Sequence, residues 1–509
     1  MKKPFIKHFG VGLLLGAVSG LVTGTVITLY KYCAKHAVHH SEQIYEFLRH
    51  NPLWIIPAVV ALLGLAVLLS FIYRRSANLR GGGIPTAIGI LRGWLPFRWA
   101  RNAVGVFVLS LTTFFVGVPL GTEGPSVQLG TALGKGCTTL MGKRGAAWSR
   151  YGMTGGACAG FATATGAPLS GVLFAVEETH QKVSPLLLLV ATSAVGASRL
   201  VSEWLSPILG VSATLLPSMQ LRTLTVGECW IPLSVGVLFG LFSVCFLSYY
   251  RGIAHVVNVT LRKVPAWVKI FTVLLLTLGM GLVSYSYIST GHELILSLLD
   301  EEVLWILVAL LFVRTTLSIG ANVTSITGGI FLPILAIGAV LSALFAEGLQ
   351  AALGLDTSYY PVILVLGITA CIAGMMKSPL TAVAFAIEAL SAYELILPIL
   401  LVTAVAYGLT ELFNAVSIND RVLERRVEAS HNGKARVGDT VILTVKPGSF
   451  AEGKEIRDIF WPEGLVVLST EQPHGDKTLR GGDVLHVQYS TYTPKELYAE
   501  VVAILGNQI

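Results

Sequence analysis

GTEGPSVQLGTALG, Gly121 to Gly134, sets a glutamate among glycines in a chain otherwise rich in apolar side chains. A glycine turn followed by a proline at a first helical position is how a helix begins, with its leading amides unpaired and about half a positive charge facing forward. Buried helix starts of this kind attract anions. Two more stretches share the form, GGGIPTAIGILRG (Gly81–Gly93) and GGIFLPILAIG (Gly328–Gly338). If the three converge, their amides hold a dehydrated anion without a full positive charge, so the ion binds yet still leaves. Glu123 brings its own negative charge to such a start and can fill the place of a mobile anion until a proton neutralises it. An ionised group there otherwise costs at least about 2.5 to 3.5 kcal/mol. The plainer alternative is a carboxylate that caps its own helix or pairs with a buried Arg or Lys.

The chain has 509 residues, 53% hydrophobic and 13% charged, with a mean hydropathy of +0.71. That balance makes it an integral membrane protein. Apolar runs long enough for a bilayer, roughly 20 residues each, recur to about Val416; clear ones are Val11–Leu29, Leu53–Tyr73, Ile231–Ser248, Ile270–Tyr287 and Leu304–Leu317. Lysines 2, 3 and 7 before the first run suggest a signal peptide, but no small-residue cleavage site ends it, so it is kept as a membrane helix. Those lysines and Arg74, Arg75 and Arg80 fall on the cytoplasmic side of two crossings. The net charge of +7 reflects bilayer flanks and suits an anionic cargo, with no call for nucleic acid. The six cysteines show no metal-ligand spacing and read as small core residues. His36, His39 and His40 read as a solvated loop, with a metal or pH sensor as the sharper alternative. No cofactor is expected, and an enzyme has little support without zinc-ligand, GxSxG or P-loop patterns.

The membrane part contains an internal repeat. GACAGFATATGAPLSGVLFAVEE (Gly156–Glu178) lies over GITACIAGMMKSPLTAVAFAIEA (Gly367–Ala389), matching Pro168 to Pro379, Phe174 to Phe385 and Glu177 to Glu388. Ahead of each, Gly121, Pro125 and Gly130 lie over Gly329, Pro333 and Gly338. Transporters built from such repeats place substrate between the halves, on helices broken near the midplane. Glu177 and Glu388, being equivalent, read as anchors for buried amides. Glu178 faces Ala389 across the repeat and so has a task particular to one half. After about Ser417 the chain turns charged. Residues 1–418 are read as the membrane domain, 419–436 as a linker and 437–509 as a small α/β module, in which TVILTV and GLVVLST are strands and PKELYAEVVAILG a closing helix.

At these residues the chain resembles the CLC family of chloride channels and proton-coupled chloride transporters: GGGIP resembles GSGIP, GTEGP resembles GREGP, and GGIFLP matches GxFxP. The resemblance implies an all-α polytopic protein of two inverted repeats of tilted and broken helices, a homodimer with one pore per subunit, and both termini cytoplasmic at a cell membrane. It implies Glu123 as the outer gate and Glu178 as the inner proton-transfer acid. It also implies anion contacts at Gly82, Gly83, Ile84, Gly124, Ile330, Phe331 and Asn419. The family's anion-coordinating serine falls on Gly82 and its pore tyrosine on Asn419, in SINDRVLER, while Thr122 stands in place of a common arginine. Asn419 can equally be a helix cap. The tail resembles a TrkA/RCK C-terminal domain through GSFAEGKEIRDIF and LRGGDVLHVQ, which implies a small regulatory ligand. The expected function is proton-coupled antiport of an anion, chloride first. The alternatives are a voltage- or pH-gated passive chloride channel, or an exchanger selective for fluoride or nitrate.

Overall fold

A computed structural model describes residues 3–142, 145–180, 182, 184–215, 221–298, 304–431, 436–468 and 475–506. Among the described residues, nine helices are long and apolar enough to cross a bilayer. Leu200, Trp204, Trp305 and Leu397 stand exposed along these spans, as hydrocarbon-facing side chains do.

The first span is longer than its apolar run. Lys3–His50 is one continuous helix that packs closely along Pro185–Leu209. Gly16, Gly20 and Gly24 let the two backbones touch, since a Cβ at Gly24 would lie 2.8 Å from the Ser198 carbonyl oxygen. His36, His39 and His40 therefore sit on the exposed face of a helix and not in a loop. Helical hydrogen bonding continues past the last apolar residue because nothing in KYCAKHAVHHSEQ breaks it. The cysteines divide: Cys158 and Cys371 are buried, whereas Cys229 and Cys245 are exposed, contrary to a uniform core role. Both lie on or beside the apolar Trp230–His255 span, where an outward thiol meets no polar demand.

The repeat is visible as two equivalent sets of broken helices. Gly145–Thr165, Pro168–Phe174 and the wide turn Ala175–His180 match Tyr360–Cys371 with its wide turn Ile372–Met376, and Pro379–Ala389. Each half caps the other. Glu177 accepts from the amides of Leu380 at 2.9 Å and Thr381 at 2.8 Å. Its equivalent Glu388 accepts from Leu169 at 2.7 Å and Ser170 at 2.9 Å. Each carboxylate thus satisfies the orphan amides that begin the partner helix. Because the end of each helix meets the start of the other, the two run antiparallel, as inverted halves require.

The halves also join at the glycine turns. Gly121 and Gly329, equivalent in the repeat, exchange both backbone hydrogen bonds, at 2.7 and 2.9 Å. A Cβ on Gly124 would lie 2.7 Å from the Gly329 Cα, so no larger residue fits.

The chain past the last span is folded. Ile418–His431 is a helix with Ile418, Asn419, Val422, Leu423 and Val427 buried, so most of the stretch read as linker is packed structure; residues 432–435 lie outside the described residues. Beyond it, β1 (Val437–Thr444), β2 (Leu465–Leu468) and β3 (Val484–Thr491) form an antiparallel sheet in the order β1-β3-β2. Val487 pairs with both Val441 and Val467. Leu485 and Val487 pack under the closing helix Pro494–Leu505. That core is continuous with Trp148, Tyr151 and Leu187 of the membrane part, and Arg150 binds Glu500 at 2.5 Å.

Two outcomes follow from these contacts. Glu388→Ala strips two amides of their acceptor and should lower stability by about 2 kcal/mol, read as a lower unfolding temperature in detergent. Gly124→Ala forces the bridged turns apart at a cost of about 3 kcal/mol; an unchanged unfolding temperature would show that the turns are not in contact.

Candidate functional site

The three glycine turns lead into helices Gly83–Leu91, Glu123–Leu140 and Phe331–Leu353. In each, proline is the third helical residue: Pro85, Pro125 and Pro333. It falls two places later than the expected first position, at no cost, because the third amide of a helix also lacks an intrahelical acceptor. The turns converge. Gly121 bridges Gly329, Gly328 N donates to the Gly81 carbonyl at 3.5 Å, and Gly81 N donates to Ser325. The Gly83 amide lies 3.1 Å from where a Cβ on Gly124 would be. Gly82, Gly83, Ile84, Gly124, Ile330 and Phe331 are all buried. Their amides belong to helix starts or the residues just ahead, where α-helical geometry supplies no carbonyl. Three positive dipole ends therefore meet in one buried place.

Glu123 is fully buried there. The Thr122 hydroxyl donates to its Oε1 at 3.0 Å, and its Oε2 has no hydrogen-bond partner among the described residues. No ion pair involves Glu123 among the described residues. Lys31 and His292 are the basic side chains near enough to act on it electrostatically. Lys31 Nζ donates to the Thr163 carbonyl at 3.3 Å, and His292 Nε2 meets the Leu215 carbonyl at 2.6 Å. A salt-bridged Glu123 is thus not what the chain builds.

Glu178 lies in the wide turn Ala175–His180 and is 8% exposed. Ser378 Oγ donates to its Oε1 at 2.5 Å and Asn419 Nδ2 to its Oε2 at 2.8 Å. Arg92 holds the backbone beneath it, donating to the carbonyls of Glu178 at 3.1 Å and Thr179 at 2.9 Å. Asn419 is not the helix cap: Ser417 Oγ takes that place, accepting from Asp420 N at 3.1 Å. The Asn419 amide nitrogen is instead committed to Glu178, while its Oδ1 is buried without a partner among the described residues.

Sequence reasoning missed Ser378, Arg92 and Lys31. Ser378 was within reach, because its repeat equivalent is Ala167, and a polar residue replacing an apolar one marks the same asymmetry as Glu178 over Ala389. Arg92 and Lys31 carry no sequence signal, since each acts on carbonyls distant in the chain. Among the described residues no cluster of metal-ligating side chains is present.

The pattern of the family described as "Voltage gated chloride channel" matches residues 64–411. The H(+)/Cl(-) exchange transporter ClcA of Klebsiella pneumoniae (strain 342) is 26% identical over 440 residues, covering 83% of this chain and 91% of that one. The ClcA exchanger of Vibrio parahaemolyticus is also 26% identical, over 84% of this chain and 91% of its own. Among solved structures, a slow cyanobacterial Cl-/H+ antiporter superposes with a TM-score of 0.74 at 24% identity, covering 83% of this chain and 99% of that one. A CLC-type fluoride/proton antiporter superposes at 0.64 and 19% identity, over 79% and 96%. With its family pattern spanning most of the sequence and its broken helices arranged alike, the chain belongs to the voltage gated chloride channel, or CLC, family.

Proposed function

We propose that the protein is a proton-coupled antiporter of a small monovalent anion, chloride first, in which Glu123 is the movable outer gate and Glu178 the inner proton donor and acceptor. The observation that carries this is the Glu123 carboxylate, buried at the meeting of three helix starts with one oxygen unpartnered. Ionised, it takes the anion's place; protonated, it loses its hold and yields the place to the ion. Proton and anion then compete for one site, which is the minimum needed to couple their movements. The amides of Gly82, Gly83, Ile84, Gly124, Ile330 and Phe331 serve the anion in this scheme. Asn419 stands at the inner side, linking the anion path to Glu178 through its amide. Glu178 has hydrogen-bond donors but, among the described residues, no cation on its carboxylate, so neither protonation state is locked.

Orientation and assembly form part of the same proposal. In support of both ends of the chain lying on one side, the His8 ring packs 5.3 Å from that of Phe450, and lysines 2, 3 and 7 favour the cytoplasmic side for it. A homodimer with one path per subunit follows the family resemblance. The tail, read as a TrkA/RCK-like module, regulates without conducting. In support, Phe460 packs its ring 4.4 Å from His180, two residues after Glu178. Arg92 also lines a cavity of about 360 Å³ shared with Thr493, Glu496 and Glu500 of the tail, a space fit for a small ligand.

Anion and proton fluxes recorded together in vesicles test the exchange. Glu123→Gln should let the anion pass while abolishing proton movement, and Glu178→Gln should stop protons and spare the anion. A reversal potential in the parent that ignores the pH gradient would leave only passive conduction. Removing residues after Lys434 should retain anion flux; lost flux in correctly inserted protein would make the tail part of the path.

A further inference from the structure

Residue 82 has no side chain, yet a buried side-chain donor points at its turn. Asn322, at the end of helix Leu304–Val323, is 1% exposed. Its Nδ2 lies 3.3 Å from where a Cβ on Gly82 would be, and it has no hydrogen-bond partner among the described residues. A buried amide donor left unmade costs about 1 to 3 kcal/mol, so such a group is retained for a partner that comes and goes.

The orientation of this amide is fixed by its neighbours. The Tyr250 hydroxyl donates to Asn322 Oδ1 at 2.9 Å, and the Arg425 guanidinium lies over the Tyr250 ring. With Oδ1 taken by that proton, Nδ2 is the amide atom that faces the turn. The surroundings are cationic as well. Arg425 Nη2 reaches the Asn322 carbonyl at 3.5 Å. Arg426 lies against Gly81, and one Nη of each arginine is buried without a partner among the described residues.

We propose that Asn322 is an anion-selecting residue: its Nδ2 donates to the transported anion beside the unpaired amides of the Gly82–Ile84 turn, on the side guarded by Arg425 and Arg426. This rests on the anion path described above and adds a side-chain donor to a site otherwise made of backbone. Tyr250 acts as a positioning residue, through its bond to the Asn322 amide.

Chloride titration of the purified full-length protein by calorimetry tests it. Asn322→Leu removes the donor and should weaken chloride binding about tenfold, the worth of one hydrogen bond to an ion. Asn322→Asp keeps the shape and still accepts from Tyr250, but turns an acceptor toward the turn; it should weaken binding more. A hydroxyl restored from the opposite side, in Gly82→Ser combined with Asn322→Leu, should return affinity to within about threefold of the parent, a rescue that a misfolded variant cannot give. Parent-like binding in folded Asn322→Asp or Asn322→Leu overturns the proposal, as does weakened binding that the serine fails to rescue. Failure of the exchange reading looks different, since a parent that binds chloride without moving protons leaves these binding comparisons intact.

Discussion

The exchange of two backbone hydrogen bonds between Gly121 and Gly329 is the constraint on which the rest of the structure depends. These residues are equivalent in the two halves, so the bridge lies where the halves meet. Only glycine permits backbones this close, because the neighbouring Gly124 already touches Gly329. The closeness has an electrostatic consequence. Each turn begins a helix, and bringing the turns together brings together dipole ends of the same sign, which repel unless something negative lies among them. The fold therefore stores a demand for negative charge at its centre, and either a tethered carboxylate or a diffusing ion can meet it.

Symmetry builds this centre, and departures from symmetry give it direction. Glu177 and Glu388 perform the same capping task in both halves. One residue further on, Glu178 has no acidic counterpart, and one residue before Pro379, Ser378 has no polar counterpart. Inverted halves place the end of one broken helix against the start of the other, so these two unmatched residues must be neighbours. They are, at 2.5 Å. The same holds at the glycine turns: Glu123 is matched by Phe331, so only one of the two central turns carries an acid. A two-fold scaffold thus has two unlike faces, as vectorial exchange requires.

Much of this was legible in the sequence because glycine and proline punctuation and a long repeat are local signals. The three helix starts, the pairing of the halves, the capping role of Glu177 and Glu388, and the sheet-and-helix tail all follow from such signals. The helical face of His36 to His40 did not, since the polar stretch has no apolar periodicity to mark a helix and carries no residue that breaks one. Nor did the packed helix from Ile418, whose charged sequence looks solvated but whose Asn419, Val422 and Leu423 are buried against the membrane part. The Tyr250–Asn322 pair joins helices 72 residues apart, beyond any periodicity argument.

The missing ion pair at Glu123 has a physical rationale of its own. Two unit charges 4 Å apart at an effective dielectric near 20 attract by about 4 kcal/mol, roughly a thousandfold in an equilibrium constant. A lysine clasped to Glu123 would hold the carboxylate ionised and in place by that factor, and neither proton nor anion at ordinary concentrations would dislodge it. Lys31 is near enough to act on Glu123 electrostatically but spends its ammonium on the Thr163 carbonyl. The close contacts left to Glu123 are peptide dipoles and the Thr122 hydroxyl, weak enough individually to be exchanged. A gate must be nearly balanced between its states, and on the proposed reading of Glu123 as the gate, a carboxylate with one oxygen unpartnered among the described residues keeps that balance.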